Sequence, residues 1–254
     1  MQTVQKPSAQ PLSTDSEQQS SENSLEAQIT DLAAADFSAL QQINTLSVTQ
    51  TIGPLRLELS NQNVIQLIGL DIPDLTPYEA GPIAGAAQDF LEMATLNSKV
   101  RLYQTKNKDK GRQSRLGHQL GHLELVKSSS SHMAGGQNDV LWLQGALLAN
   151  GLARVRPSSI HTEMAAQMLE IEKTAREQKA GLWADPAYQV MTPEQSENAM
   201  NQWGIVEGVI KGAAIVRNTV YLNFGANWRE DFTIAIPASV RKDMAQHGVN
   251  PLDL

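Results

Sequence analysis

Hydrophobic and polar positions alternate along 55-LRLELS-60 and again along 64-VIQLIGL-70, with the polar turn Asn61-Gln62-Asn63 between them. A period of two sends successive side chains to opposite faces, so this pair predicts a β-hairpin. The alternation returns at 99-KVRLYQ-104 and 119-QLGHLEL-125. Between these strands, after Pro82, the spacing predicts a helix over roughly 84–95, with Phe90, Leu91, Met93 and Ala94 toward a core. Further on, 140-VLWLQGALLANG-151 predicts a helix closed by a glycine cap. Ser158 or Ser159 then caps a long amphipathic helix that ends at Gly181, ahead of Leu182 and Trp183. Met164, Met168 and Ile171 on that helix read as packing. Strands first, with helices interleaved late, predict an α+β fold: a β-barrel with helices packed on it.

The ends of the chain follow other patterns. Residues 1–24 are rich in Gln, Ser, Thr and Pro and almost lack large apolar groups, so they cannot offset the entropy of ordering. Residues 25–42 carry the spacing of a short helix (Leu25, Ile29, Leu32, Leu40), and the barrel domain is expected over 45–189, after a disordered tail over 1–44. Residues 127–139 read as a polar, flexible connection. A linker at 190–201 precedes a small β-rich module over 202–254, with strands expected at 203–211, 219–224 and 231–237 and a helical segment near 238–247. Three strands are few for an independent module, so either it leans on the first domain or the chain extends beyond residue 254.

Charge sharpens this division. The net charge is −7, but residues 1–50 hold one Lys against six acids, whereas 51–189 balance at 14 against 14. The acidity therefore belongs mostly to the tail. Within the neutral middle, 99-KVRLYQTKNKDKGRQSR-115 carries seven Lys and Arg and one acid, a local basic patch of the kind phosphate attraction needs. Without cysteine there are no disulfides, thiolate metal sites or Cys nucleophiles. No apolar run approaches the ~18 residues needed to span a membrane. No apolar segment follows Lys6, so no secretory signal is visible and the cellular address stays open.

The candidate chemistry sits in 64-VIQLIGLDIPD-74, where a strand runs into Asp71 and Asp74 with Pro73 between them. Carboxylates at this spacing can hold a cation or relay a proton, and they can equally solvate a turn. Four stretches bear on the choice. 64-VIQLIGLDIPD-74 resembles the "RLIGIDTPE" of the thermonuclease (staphylococcal-nuclease-like) family, and 114-SRLGHQLGHL-123 resembles its "DRYGRLLAHV". 140-VLWLQGALLANGLARV-155 is similar to "VNEALVREGLARV", and 179-KAGLWADP-186 to "RGLWSDP". The four occur in the family's order and cover about 48–188. More weakly, 221-YLNFGANWREDFT-233 resembles a short β-module that follows the nuclease domain in some bacterial relatives.

The resemblance implies a five-stranded OB-type barrel with flanking helices, cleavage of DNA or RNA, and one Ca²⁺ ion. Such chemistry uses several oxygen ligands on the cation, a carboxylate base for water, and two arginines on the phosphate. Carried over by position, Asp71 matches the metal-binding Asp, Ile72 would lend its backbone carbonyl, and Asp74 falls where the family has its glutamate base. Gln66 and His118 occupy the two arginine positions. In an alternative register, 109-DKGR-112 makes Arg112 the clamp. The second metal carboxylate belongs in a turn that here reads 50-QTIGP-54, and the two nucleotide-cradling tyrosines fall at Leu116 and Pro157. Arg115 and Arg154 keep basic contacts, and Arg101, Lys106, Lys108, Lys110 and Arg112 join them as candidate nucleic-acid-binding residues.

Losing one preorganised donor typically costs ~10²–10³ in rate, although losses within one site do not multiply. The departures therefore favour a catalytically degenerate relative that binds DNA or RNA, or a protein partner, through the former cleft. The alternative is a Ca²⁺-dependent phosphodiesterase with an altered site, and a third reading makes the appendage or tail a protein scaffold. Beside these stand plainer readings: His118 as a surface residue, His122 as a core or half-buried one, and the 99–115 stretch as a solvated strand and loop. Phe224, Trp228 and Phe232 either pack a core or stack bases.

Overall fold

The computed structural model describes residues 35–95, 98–126, 140–200, 204–227 and 229–254. Expectations that fall on 1–34, on 127–139 and on Trp228 lie outside these residues. The chain divides into two compact units, one ending at Trp183 and the other running over Ala184–Leu254.

The larger unit contains β1 (Leu40–Gly53), β2 (Arg56–Leu59), β3 (Val64–Leu67), β4 (Leu70–Asp71), α1 (Pro82–Thr95), β5 (Lys99–Thr105), β6 (Gln119–Val126), β7 (Val140–Trp142), α2 (Leu143–Ala149), β8 (Arg154–Val155) and α3 (Ala165–Glu177). Five of these strands close on themselves. β1 pairs antiparallel with β5 through its first half and with β2 through its second. β2 pairs with β3, β5 with β6, and β3 lies parallel to β6, which completes the ring. β7 extends the sheet from β6. This is the predicted OB-type arrangement with packed helices. Its interior is aliphatic: Leu57, Leu59, Ile65, Leu67, Val100, Leu102, Leu123 and Leu125 are buried at alternate positions. Met164 and Met168 join the same core, with Ile171 packed against it.

Several expectations are corrected. β1 starts upstream of residue 45, so the residues from Leu40 belong to a strand and not to a tail or a helix. Phe37 anchors this entry by stacking on Tyr103, with ring centroids 4.1 Å apart. Its register shifts three times, between Gln42 and Asn44, Val48 and Gln50, and Thr51 and Gly53. Such irregularities bend a strand, which lets one long segment serve both halves of a closed sheet. The stretch expected as one helix over 140–151 begins instead as β7. Its ladder is continued by a side chain: Gln144 of α2 donates to the Gly121 carbonyl at 2.9 Å and accepts from the Leu123 N–H at 3.1 Å. α3 starts at Ala165, with Met164 at its N-cap and no side-chain cap bond, well after the expected Ser158 or Ser159. The segment between is a turn in which Ser158 Oγ and His161 Nδ1 are hydrogen bonded at 2.9 Å.

The closing glycines have a steric reason. Gly151 and Gly181 both hold left-handed backbone, at φ 62° and 49°, and face each other. A Cβ on Gly151 would stand 2.0 Å from the Ala180 carbonyl oxygen, so any side chain would push α2 and the Gly181 segment apart.

In the smaller unit the three-stranded sheet runs β11 (Thr233–Ile236), β10 (Thr219–Asn223), β9 (Gly212–Val216), followed by α4 (Ala238–Gln246). The strand expected at 203–211 is displaced to 212–216. Arg217 and Asn218 both take positive φ, 46° and 74°, which makes a two-residue hairpin turn and fixes Val216 opposite Thr219. Val220, Leu222, Phe224 and Ile236 form its core, and Phe224 meets Phe232 edge-on at 5.4 Å. Those two aromatic rings pack on each other.

Candidate functional site

β4 and β8 form a two-stranded ribbon that sets Leu70 opposite Val155 and Asp71 opposite Arg154. The Arg156 N–H donates to the Gly69 carbonyl at 2.8 Å and prolongs the pairing. Directly opposed residues share a face, and so does the residue two positions along. Both arginines therefore reach Asp71. Arg154 donates from Nε and Nη2 to Oδ2, at 3.1 and 2.7 Å, and Arg156 donates from Nη1 to Oδ1 at 3.1 Å. The Arg154 side chain is 4% exposed, that of Asp71 18% and that of Arg156 63%. Two guanidinium groups on one carboxylate leave one surplus positive charge.

Glu172 of α3 holds this ribbon from behind. It is buried, accepts a short hydrogen bond from the Val155 N–H, and is ion-paired with Arg176. Arg176 in turn lies over the Trp183 ring, 4.8 Å from its centroid.

Asp74 has a different employment. Its Oδ2 accepts from the Ile83 N–H at 2.7 Å and its Oδ1 from the Ala84 N–H at 2.9 Å. These are two of the orphan donors at the start of α1, so Asp74 caps the helix from outside it. Gly81 makes room, since a Cβ there would lie 2.4 Å from the Asp74 carboxylate. The Ile72 carbonyl, for its part, accepts from the Leu75 N–H at 3.2 Å.

The two positions that the resemblance gives to arginines lie on separate elements. Gln66 is half-buried on β3, opposite Arg56 of β2 and beside Leu120 of β6. His118 closes the 114–118 turn, where its N–H donates to Ser114 Oγ at 3.2 Å and its Nδ1 is buried without a hydrogen-bond partner.

Residues 64–185 match the family described as staphylococcal nuclease homologue. The larger unit carries a thermonuclease-like domain. A search of curated proteins found no match to the chain.

Ca²⁺ is the cation that such a domain implies, and the donors here do not fit it. Both oxygens of Asp71 are held by guanidinium groups, both oxygens of Asp74 by helix N–H groups, and the Ile72 carbonyl by a turn. Among the described residues, no cluster of three or more His, Cys, Asp or Glu could hold a metal. A divalent ion beside Asp71 would also face two positive charges at close range.

The basic segment of the thermonuclease-like domain separates into tied and open cations. Arg101 is paired with Glu124 at 2.8 Å, and Tyr103 donates to the same carboxylate at 3.0 Å. The Glu124 hydrogen bond raises the Arg101 pKa, and burial, then the bond to Glu124, raises that of Tyr103. Arg112 donates to the Thr105 carbonyl at 3.0 Å and to Gln41 Oε1 at 2.7 Å. Lys106 donates to the Ser38 carbonyl at 2.8 Å. Arg112 and Lys106 hold the β5–β6 loop to the start of β1. Lys99, Lys108, Lys110 and Arg115 are exposed and make no ion pair among the described residues. Lys108 and Lys110 help line a shallow pocket of ≈ 400 Å³ with Gln104, Gly111, Arg112 and Gln119.

Sequence reasoning missed Arg156 and His161. His161 Nε2 lies 2.6 Å from the Gly111 carbonyl oxygen and stitches the basic loop to the segment after β8. Arg156 could have been found from its two-residue spacing to Arg154 on a strand opposite Asp71. His161 carried no local signal. His122 lies in the core, 5.6 Å from Trp142, where burial and then the charge of His161 lower its pKa to about 3.

Proposed function

We propose that the thermonuclease-like domain binds the phosphodiester backbone of DNA or RNA and does not cleave it. The observation that carries this reading is that Asp71 and Asp74 are both already bonded within the fold. Hydrolysis needs a carboxylate free to orient water and a charge stabiliser preorganised for the transition state. Binding needs only accessible cations along a path, and Lys108, Lys110 and Arg115 provide them.

The test uses the full chain and a labelled single-stranded oligonucleotide, with Ca²⁺ or with EDTA. The expected result is no cutting in either buffer, together with binding that weakens steeply with salt. On single strands the log–log salt slope is about −0.7 per phosphate contact. Ca²⁺-dependent cutting would replace this reading with that of a phosphodiesterase. Neither cutting nor binding would leave a protein partner as the ligand of the old cleft.

A further inference from the structure

The geometry points to a metal-independent phosphate clamp on Arg156, held by Asp71 and continued by Lys110 and Lys108. It rests on the nucleic-acid-binding reading and names the residues that would execute it.

Three observations build the clamp. The first is the unequal burial of the two arginines on Asp71. Arg154 is 4% exposed and commits two donors to Oδ2, whereas Arg156 is 63% exposed and commits one to Oδ1. A guanidinium carries five N–H donors in a rigid fork. Asp71 thus orients Arg156 and leaves most of its donors for a ligand. The second is charge. Counting the Glu172–Arg176 pair behind the ribbon, three arginines face two carboxylates, and Arg156 is the most exposed of them. The third is continuity. Pro157, Ser158 and Ser159 run exposed from the end of β8, and His161 joins Ser158 to the Gly111 carbonyl. Lys110 precedes Gly111, so this stitch ties the loop that carries the exposed Lys108 and Lys110 to the segment that follows Arg156.

The ligand that fits is a single strand of polynucleotide: one phosphate takes the fork of Arg156, and its neighbours take the point charges of Lys110 and Lys108. Because Asp71 pre-sets the Arg156 rotamer, less side-chain entropy is lost on binding. No divalent cation takes part.

Anisotropy titrations of a fluorescein-labelled oligothymidine, in EDTA and over a salt series, test this. Arg156→Ala is expected to weaken binding roughly tenfold and to lower the log–log salt slope by about 0.7, the signature of one lost phosphate contact on a single strand. Arg156→Lys should keep the slope and recover only part of the affinity, because a point charge replaces the fork. The Lys108→Ala/Lys110→Ala chain should lower the slope further, and a Tm like that of the unaltered chain will show that each variant is folded. Binding by Arg156→Ala equal to that of the unaltered chain would overturn the clamp and leave the nucleic-acid reading standing. Binding that requires Ca²⁺ would overturn the clamp through its metal independence. An unaltered chain that binds no oligonucleotide would overturn the reading and the clamp together.

Discussion

Leu57, Leu59, Ile65, Leu67, Leu102 and Leu123 fill the ring of the larger unit, while at its rim Asp71, Arg154 and Arg156 form one ion-paired group. The interior needs only apolar side chains of about the right size at alternate positions, and many sequences meet that condition. The rim depends on individual charges, and each one changed alters what the site can bind. A ring of this kind can therefore carry different chemistry at its rim. Here both carboxylates of the 71–74 turn are bonded within the fold: one pairs with arginines and the other caps a helix.

That contrast predicts a large structural cost for removing Asp71. The buried Arg154 would lose the Asp71 carboxylate that two of its donors bond, and breaking a buried pair typically costs about 3–5 kcal/mol. We expect Asp71→Ala to lose about 3 kcal/mol in urea unfolding at neutral pH. A carboxylate retained for a cation would behave oppositely, since its removal from a polar site commonly leaves stability unchanged or raised. A neutral or stabilising Asp71→Ala would therefore break the assignment of Asp71 to the fold.

His122, buried on the face of β6 opposite to Leu123, gives the next largest effect. Its folded pKa is about 3, against the ordinary 6.5 of a histidine in water. Between those values the unfolded chain binds a proton that the folded chain refuses. The stabilisation is thus complete above pH 6.5 and declines as pH falls toward 3, by about 1.4 kcal/mol per pH unit. Between pH 6.5 and pH 5 this amounts to about 2 kcal/mol. Unfolding of the parent chain and of His122→Leu at both pH values isolates it, since the leucine chain should lack this one-proton slope. Parallel pH profiles would place His122 in contact with water.

Asp74→Ala should cost less, about 1 kcal/mol, the usual value of a helix cap. The loss should fall on α1, with faster amide exchange at Ile83 and Ala84. If exchange there is unchanged, the cap is not what Asp74 does.

Much of the ring was legible beforehand because β2, β3 and β5 alternate cleanly. β1 was not, because its sequence LQQINTLSVTQTIG is mostly exposed or half-buried and its bulges break the period of two. Residues 140–142 looked helical because an apolar run reads alike in a buried strand and a helix. At the rim, the identities of Asp71, Asp74, Gln66 and His118 were plain, but their partners were not. Asp71 finds Arg156 across β4–β8, and Asp74 finds N–H groups nine and ten residues on. Partnerships of that kind are set by register and by the start of a helix, and no local spacing displays them.

The smallest expected effect is the response to Ca²⁺, and it tests the rim most directly. A ligand that binds only the folded chain stabilises it by about 2.7 kcal/mol at one hundred times its dissociation constant. A domain that kept a cation site would show this as a Tm that climbs with added Ca²⁺. With both oxygens of Asp71 on guanidinium groups and both of Asp74 on α1, we expect the Tm to be the same in Ca²⁺ and in EDTA at matched ionic strength. Matching matters, because added salt alone weakens exposed contacts such as that of Arg156 with Asp71. A rise that saturates with Ca²⁺ would mean that the cation can displace Arg156 from Asp71, and the rim would then have two occupants in competition.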